Sequence, residues 1–203
     1  MQALENALDI LAVLKAATAS QHKNIERLLP FFDERLSLEV YTSTLSAFLG
    51  FYGPIELRLS SITGWQTIGI DLAHRQRAHL LQADLQALQM GGSIIALLPE
   101  CQELPKIDNL FDALGCMYVL EGSTLGGQLI ARELERRFGV TRQSGAAFFH
   151  GYGPDTGPMW MVFCSAIRIC VDDHGRQQAT VTAAQNTFAC FAKWIERLNS
   201  HVK

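Results

Sequence analysis

The sequence lacks the features that would assign it to several specialised classes of protein. It has no apolar run near the roughly 20 residues that a bilayer requires, and no basic-then-apolar segment opens it. We therefore expect neither a membrane span nor a secretory signal. A formal net charge of only -3 excludes the strong positive charge of a non-specific nucleic-acid binder. With 48% hydrophobic and 18% charged residues, the composition is typical of a globular chain.

The cysteines form no CxxC pair and no zinc-type spacing. Their odd number and scattered positions predict reduced, mostly buried thiols and a cytoplasmic location. None lies in an evidently basic stretch, so core thiols are favoured over reactive ones. The five are Cys101, Cys116, Cys164, Cys170 and Cys190.

Apolar residues recur at helical spacing along most of the chain, and we find no strand alternation or internal repeat. The pattern predicts an all-α fold, with one domain over residues 1–203 and the helices packed as a compact bundle. The predicted helices span residues 4–29, a segment that follows Ser37 and is kinked at Pro54, about 72–88, 108–138 with Gly139 as the stop, 160–171 and 181–198.

The stretch LEGSTLGGQLIAR places Gly122, Gly126 and Gly127 inside a predicted helix. Each such glycine costs about 1 kcal/mol relative to alanine. Close helix packing explains Gly122 and Gly126, which are four residues apart. Adjacent glycines point in different directions and cannot both serve one packing seam, but they leave main chain uncovered for a flat ligand. Packing is favoured on this ground alone, and a ligand-facing helix stays open.

His22 is the second candidate, because histidine ligates iron or zinc through a neutral ring nitrogen. Glu26 lies one turn further on the same face and can accept a hydrogen bond from the other ring nitrogen. Such pairs also arise by chance, so the spacing alone favours a solvated surface histidine.

Together the two segments resemble the heme oxygenase family. LKAATASQH resembles its proximal helix, with the iron-ligating histidine at His22, and YVLEGSTLGGQLIAR is similar to its glycine-rich distal helix. FFHGYG and the downstream Trp160 narrow the resemblance to the bacterial subgroup associated with bacteriophytochromes. The resemblance covers most of the chain.

The resemblance implies that heme, as both cofactor and substrate, lies between these helices. His22 would ligate the iron, and Gly122, Gly126 and Gly127 would let the distal main chain cover the face where oxygen binds. The products would be biliverdin, carbon monoxide and ferrous iron, with electrons from a separate reductant or electron-donor protein. The protein would supply orientation and a water network rather than a nucleophile. A bacteriophytochrome is the implied candidate acceptor of biliverdin.

One departure from the family concerns the position after the first distal glycine. Many heme oxygenases have aspartate there, in GDLSGGQ, whereas this chain has Ser123 in GSTLGGQ. A hydroxyl donates and accepts hydrogen bonds but carries no charge. The subgroup resemblance includes the serine, so we expect activity, with Ser123, Gly122 and Gly126 as the catalytic set. The identity of the proton relay stays open, since water ordered on main-chain carbonyls could suffice, with Ser123 or Thr124 helping.

Other cofactor contacts follow from the resemblance. Lys15 matches a family position that binds the heme propionates, and a surface lysine is the alternative. The family's later basic contacts to the propionates do not match this chain by residue type, and Arg168 is the nearest substitute for them. Tyr118 and Phe188, with Phe191, could line the pocket, although aromatic residues at helical spacing are commonly core.

The segment DLAHRQRAH has metal-compatible spacing at Asp71, His74 and His79. No matching second set exists, so we interpret it as a polar helix face. Charges also alternate after the glycine segment, which predicts a solvated stripe or a surface for an acidic electron donor. That stripe comprises Arg132, Glu133, Glu135, Arg136 and Arg137.

The leading hypothesis is therefore a biliverdin-producing enzyme. The alternatives are a heme- or bilin-binding protein without turnover on the same scaffold, which Ser123 keeps open, and a helical interaction domain without a tetrapyrrole.

Overall fold

The computed structural model describes residues 9–200, and every regular element in that part of the chain is helical. This confirms the predicted all-α fold. The start of the first predicted helix, including Leu4 and Leu8, lies outside the described residues.

The helices have these bounds: α1 (Ile10–Leu28), α2 (Leu38–Ser60), α3 (Ala78–Ala87), α4 (Gly92–Ile95), α5 (Leu110–Phe138), α6 (Ala147–His150), α7 (Thr156–Cys170) and α8 (His174–Ser200). Short 3-10 turns occupy Gln66–Ile68, Ala73–Arg75 and Gly153–Asp155. Among the described residues, none of the helices combines the length and apolar character that crossing a bilayer requires.

Local capping signals account for several helix ends. The Ser37 hydroxyl accepts from the Val40 N–H at 3.2 Å and starts α2 as predicted. Asn109, one residue after the predicted start, caps α5 because its side chain accepts from the N–H groups of Phe111 and Asp112. Gly139 ends α5 in the left-handed conformation at φ 67°, as predicted.

Other predicted boundaries were wrong. The helix predicted at about 72–88 begins only at Ala78, because the Glu56 carboxylate on α2 accepts from the main-chain N–H groups of Arg77 and Ala78. This carboxylate caps α3 from a distant part of the chain, which no local pattern reveals. Helices α7 and α8 begin four and seven residues before the predicted 160 and 181, because their first turns carry polar or irregular sequence.

Pro54 lies inside α2 as predicted and leaves the Gly50 carbonyl without its helical partner. The Cys101 N–H donates to that carbonyl at 2.8 Å. A Cβ on Gly50 would collide with the Pro99 carbonyl. The proline and the glycine together dock the segment after α4 onto α2.

Helix α8 packs against both α1 and α5. The crossing with α5 is close, since a Cβ on Gly115 would collide with the Thr180 carbonyl. On the other side, the Gln185 side chain donates to the Ala17 carbonyl at 2.9 Å. The shared partner α8 therefore holds α1 and α5 side by side.

Candidate functional site

The α1 side of the candidate site is one helix face that carries Lys15, His22 and Glu26, spaced seven and four residues apart. The His22 side chain is 62% exposed, and its ring meets Phe188 of α8 edge-on with centroids 6.0 Å apart. Nδ1 lies 3.6 Å from the Glu26 carboxylate, which is longer than a hydrogen bond. The imidazole is thus supported on one edge and open to a ligand.

The α5 side is a strip of the helix surface on which the main chain is uncovered at two glycines and flanked by two leucines. A Cβ on Gly126 would meet nothing within 4 Å, and one on Gly122 would meet only the Trp160 ring, at 3.8 Å. Leu125 and Leu129, on the same side of the helix, are 45% and 58% exposed. We call this strip of α5, comprising Gly122, Leu125, Gly126 and Leu129, the open face.

Gly127 does not belong to the open face. It is buried, and a Cβ there would lie 2.7 Å from the Phe149 carbonyl oxygen on α6. The sequence favoured packing for Gly122 and Gly126, but the structure gives the packing contact to Gly127. Two adjacent glycines therefore have separate causes, since one permits helix contact and the other leaves a surface uncovered.

Tyr118 lies one turn before the open face and links α5 to neighbouring helices. Its ring lies 5.7 Å from that of Trp160 on α7. Burial raises the pKa of Tyr118, and a hydrogen bond with the Thr18 side chain on α1 opposes that shift. This contact links α1 to α5 at a point one turn before His22 on α1 and two turns before Gly126 on α5. We use the slot as the name of the candidate ligand site to which His22, Phe188 and the open face would contribute.

Ser123 sits at the edge of the open face in a network of hydrogen bonds. Its Oγ donates to the Leu120 carbonyl at 2.6 Å and lies 3.1 Å from the Tyr52 hydroxyl. The Arg77 guanidinium donates to the same Oγ at 3.0 Å and to the Leu120 carbonyl at 2.5 Å. Burial raises the pKa of Tyr52, while the Arg77 charge opposes the shift.

A second buried network lies directly before Gly122. The Arg75 guanidinium pairs with the Glu121 carboxylate, and the two side chains are only 3% and 1% exposed. The Tyr152 hydroxyl donates to Glu121 at 2.6 Å, and Arg75 also donates to the Met159 carbonyl at 3.2 Å. Burial, followed by the Glu121 charge, raises the pKa of Tyr152. This network fixes α5 to the segments that precede α3 and α7.

The sequence analysis missed both arginines, because it treated DLAHRQRAH as a polar helix face. Only part of the segment fits that interpretation, since Asp71 and His74 form an exposed pair at 2.9 Å and His79 is exposed. Within the described residues, no group of three or more histidine, cysteine or acidic side chains could hold a metal ion. The one available signal was Glu121, an acidic residue in a buried helix register that requires a cationic partner.

The other residues singled out in the sequence do not lie together in the structure. Arg168 is engaged by Asp9, with Nη2 and Oδ2 2.8 Å apart, whereas Lys15 is exposed and makes no ion pair with any described residue. Phe191 packs in the core against Phe51, at 4.8 Å between centroids. All five cysteines are unpaired, and burial raises the pKa of Cys116 to about 12.

These residues fit a flat, largely apolar ligand whose centre takes a nitrogen ligand. His22 offers an imidazole, the open face offers space that a side chain would fill, and Phe188 offers an aromatic edge. The exposed ammonium of Lys15, two turns from His22, suits an acidic group at the ligand edge.

Comparisons with known proteins agree with this chemistry. The family model described as heme oxygenase matches residues 8–197. A crystal structure of NO- and CO-bound heme oxygenase from Neisseria meningitidis is 18% identical, with a TM-score of 0.74 over 96% of this chain and 94% of that one. The structure of heme oxygenase from Leptospira interrogans is 16% identical, with a TM-score of 0.75 over 94% and 100%. A search of curated proteins found no significant match.

Proposed function

Because the chain belongs to the heme oxygenase family, we propose that it opens heme to biliverdin, carbon monoxide and ferrous iron in the slot between α1 and α5. Heme is the expected ligand of the family. The observation that carries the proposal for this chain is the pairing of an accessible imidazole at His22 with uncovered main chain at Gly126, on two helices that share α8.

We assign His22 as the axial ligand. Its ring is held edge-on by Phe188, and its Nδ1 faces Glu26. A shortening of that 3.6 Å contact on ligand binding would fix the tautomer that leaves Nε2 free to ligate and would raise its basicity.

We assign the open face as the opposite wall. Gly122 and Gly126 let the main chain approach a flat macrocycle, while Leu125 and Leu129 provide apolar contact and exclude water. Gly127 contributes indirectly by letting α5 lie against α6. Tyr118 closes one end of the slot, and Lys15 binds a propionate.

When bound, heme supplies the iron centre for oxygen chemistry and the carbon that is oxidised. The chain holds and orients it, and the Ser123 hydroxyl offers a hydrogen bond at the edge of the open face. A separate electron donor supplies the electrons, and a bacteriophytochrome is the proposed acceptor of biliverdin. The five unpaired cysteines support a cytoplasmic setting.

A heme titration followed by turnover tests the proposal. We expect one heme per chain with a Soret band, and conversion to biliverdin with release of carbon monoxide when a reductant and oxygen are added. His22→Ala should lose or greatly weaken axial ligation, with Lys23→Ala as the exposed control on the same helix.

Each contrary result has a distinct meaning. Stable heme binding without ring opening would favour the heme- or bilin-binding alternative on the same scaffold. Absence of a Soret band would contradict both. An unchanged spectrum in His22→Ala would contradict the assignment of the ligand alone.

A further inference from the structure

The Ser123 hydroxyl contacts three polar groups, which are the Leu120 carbonyl, the Arg77 guanidinium and the Tyr52 hydroxyl. A hydroxyl has one proton and two acceptor positions, a guanidinium only donates and a carbonyl only accepts. The Leu120 oxygen, Arg77 Nη2 and Ser123 Oγ form a triangle with sides of 2.5, 2.6 and 3.0 Å, so the carbonyl and the guanidinium lie on the same side of Oγ and compete for one of its positions. When Arg77 donates into that position and the Tyr52 hydroxyl donates into a second, the proton of Ser123 takes the third.

The Leu120 carbonyl does not depend on that proton. It already accepts a hydrogen bond at 2.5 Å from Arg77 Nη2. A bond from a charged donor is about twice as strong as a neutral one. Turning the Ser123 proton away therefore leaves no buried acceptor unpaired, which is the usual cost of breaking such a bond.

Arg77 is held firmly in this position. Its residue is 3% exposed, its guanidinium lies over the Phe148 and Tyr52 rings at 4.7 and 5.4 Å, and its main-chain N–H donates to Glu56 at 2.7 Å. Unlike the Arg75 guanidinium, that of Arg77 forms no ion pair with a carboxylate among the described residues. The nearest acidic influence is the Glu56 carboxylate, which accepts from the Arg77 main-chain N–H and interacts with the Arg77 charge without an ion-pair contact.

We propose that Arg77 is a positioning residue that makes the Ser123 hydroxyl a hydrogen-bond donor toward the open face. Arg77 takes over the Leu120 carbonyl, and together with Tyr52 it fills the acceptor positions of Ser123. The freed proton is directed at an oxygen-containing diatomic ligand in the slot. In this chain the buried Arg77 cation and the neutral Ser123 hydroxyl thus act together at the position where many heme oxygenases have an aspartate. The inference rests on the proposed function, because the slot must hold heme.

Infrared spectroscopy of the reduced, heme-loaded full chain under carbon monoxide tests the role of Arg77. A hydrogen-bond donor or positive charge beside bound carbon monoxide lowers its C–O stretching frequency. We expect Arg77→Met and Ser123→Ala each to shift the band to higher wavenumber, and Ser123→Thr, which keeps the hydroxyl, to leave it in place. In the wild type the single nitrogen Nη2 of Arg77 contacts both acceptors. Arg77→Lys keeps the charge but carries it on a shorter side chain without the planar guanidinium, so its shift should be intermediate.

The double variant separates a positioning role from an independent one. If Arg77 acts through Ser123, the shift in Arg77→Met/Ser123→Ala should be smaller than the sum of the single shifts. Arg136→Met is the matched control, since Arg136 is exposed on α5 and pairs with Glu133. It should leave the band unchanged.

A normal Soret band with an unshifted C–O band in Arg77→Met or Ser123→Ala would overturn the proposal, as would strictly additive shifts. Should Arg77→Met fail to fold, a wild-type band position in Arg77→Lys would overturn it equally. Loss of the Soret band in the wild-type chain would instead contradict the proposed function and this inference with it.

Discussion

Gly126 and Gly127 are neighbours in the chain but meet opposite surroundings. Gly126 faces open space, and Gly127 touches the main chain of α6. The same substitution, glycine to alanine, can therefore be compared at the proposed binding surface and at a packing contact.

We expect Gly126→Ala to stabilise the heme-free protein by up to about 1 kcal/mol, because alanine favours the helix and its Cβ meets nothing. The same Cβ should weaken heme binding. Gly127→Ala should destabilise by about 1–3 kcal/mol, because its Cβ would lie 2.7 Å from the Phe149 oxygen. Denaturant unfolding and heme titration measure the two effects, and equal unfolding free energies would contradict the assignment.

Asp84 gives a pH dependence with a defined sign. Its carboxylate, 1% exposed, accepts from the N–H groups of Ala147 and Phe148 at 2.7 and 2.8 Å, and burial raises its pKa. The folded chain therefore binds this proton more tightly than the unfolded chain. The contribution of Asp84 to stability should fall as pH rises from the unfolded value of about 4 toward the raised folded value.

Asp84→Asn removes this titration. The unfolding free energy of the wild type minus that of Asp84→Asn should decline between pH 4 and neutrality. Urea unfolding at a series of pH values measures the difference, and a difference that grows with pH would contradict the expectation.

At the scale of elements, the Arg75–Glu121–Tyr152 network ties α5 to its surroundings beside the open face. Removing one member of a buried ion pair costs about 3–5 kcal/mol, because the other charge stays buried without a partner. We expect a loss of that size in Glu121→Gln. Tyr152→Phe should lose about 1 kcal/mol, because Arg75 still holds the carboxylate.

The pair of Glu133 and Arg136 on the same helix, whose side chains are 22% and 69% exposed, supplies the control. Glu133→Gln should change stability by less than about 1 kcal/mol. Thermal or denaturant unfolding compares the three variants. Equal losses in Glu121→Gln and Glu133→Gln would show that burial does not strengthen the first pair.

The helices were predictable where a local signal exists. Ser37 and Gly139 mark ends that the structure keeps, because capping and left-handed residues act within a few positions. The start of α3 was not predictable, because Glu56 caps it from 21 residues away. The early turns of α8 carry exposed polar residues such as His174 and Gln178, so its apolar period begins only at Val181.

The same distinction holds for the candidate site. His22 and the open face come from two local patterns, each visible in a single helix. Arg75 and Arg77 became apparent only when a turn before α3 was seen to bury them against α5. Sequence periodicity predicts which residues share a helix face, but not which distant segment supplies a partner.

At the scale of the molecule, ligand binding should couple the slot to global stability. A ligand that binds only the folded chain stabilises it by about 2.7 kcal/mol at 100 times its dissociation constant. We expect heme to raise the melting temperature of the wild type and to raise that of His22→Ala much less. Because His22 is 62% exposed, the heme-free melting temperatures should be nearly equal.

Differential scanning calorimetry with and without heme measures this coupling, with Lys23→Ala as the control. An equal heme-induced rise in wild type and His22→Ala would contradict ligation by His22. A large difference between the heme-free proteins would indicate that His22 serves the fold.

The close crossing at Gly115 has a consequence for how this protein can change over evolutionary time. Main chain meets main chain there, so the angle at which α5 departs from α8 is fixed by two backbones rather than by interchangeable side chains. Neighbouring apolar residues can drift in size while the gap beyond them keeps its width. Because this helix crossing is set by a contact between main chains, we expect most core substitutions to leave the geometry of the binding region unchanged.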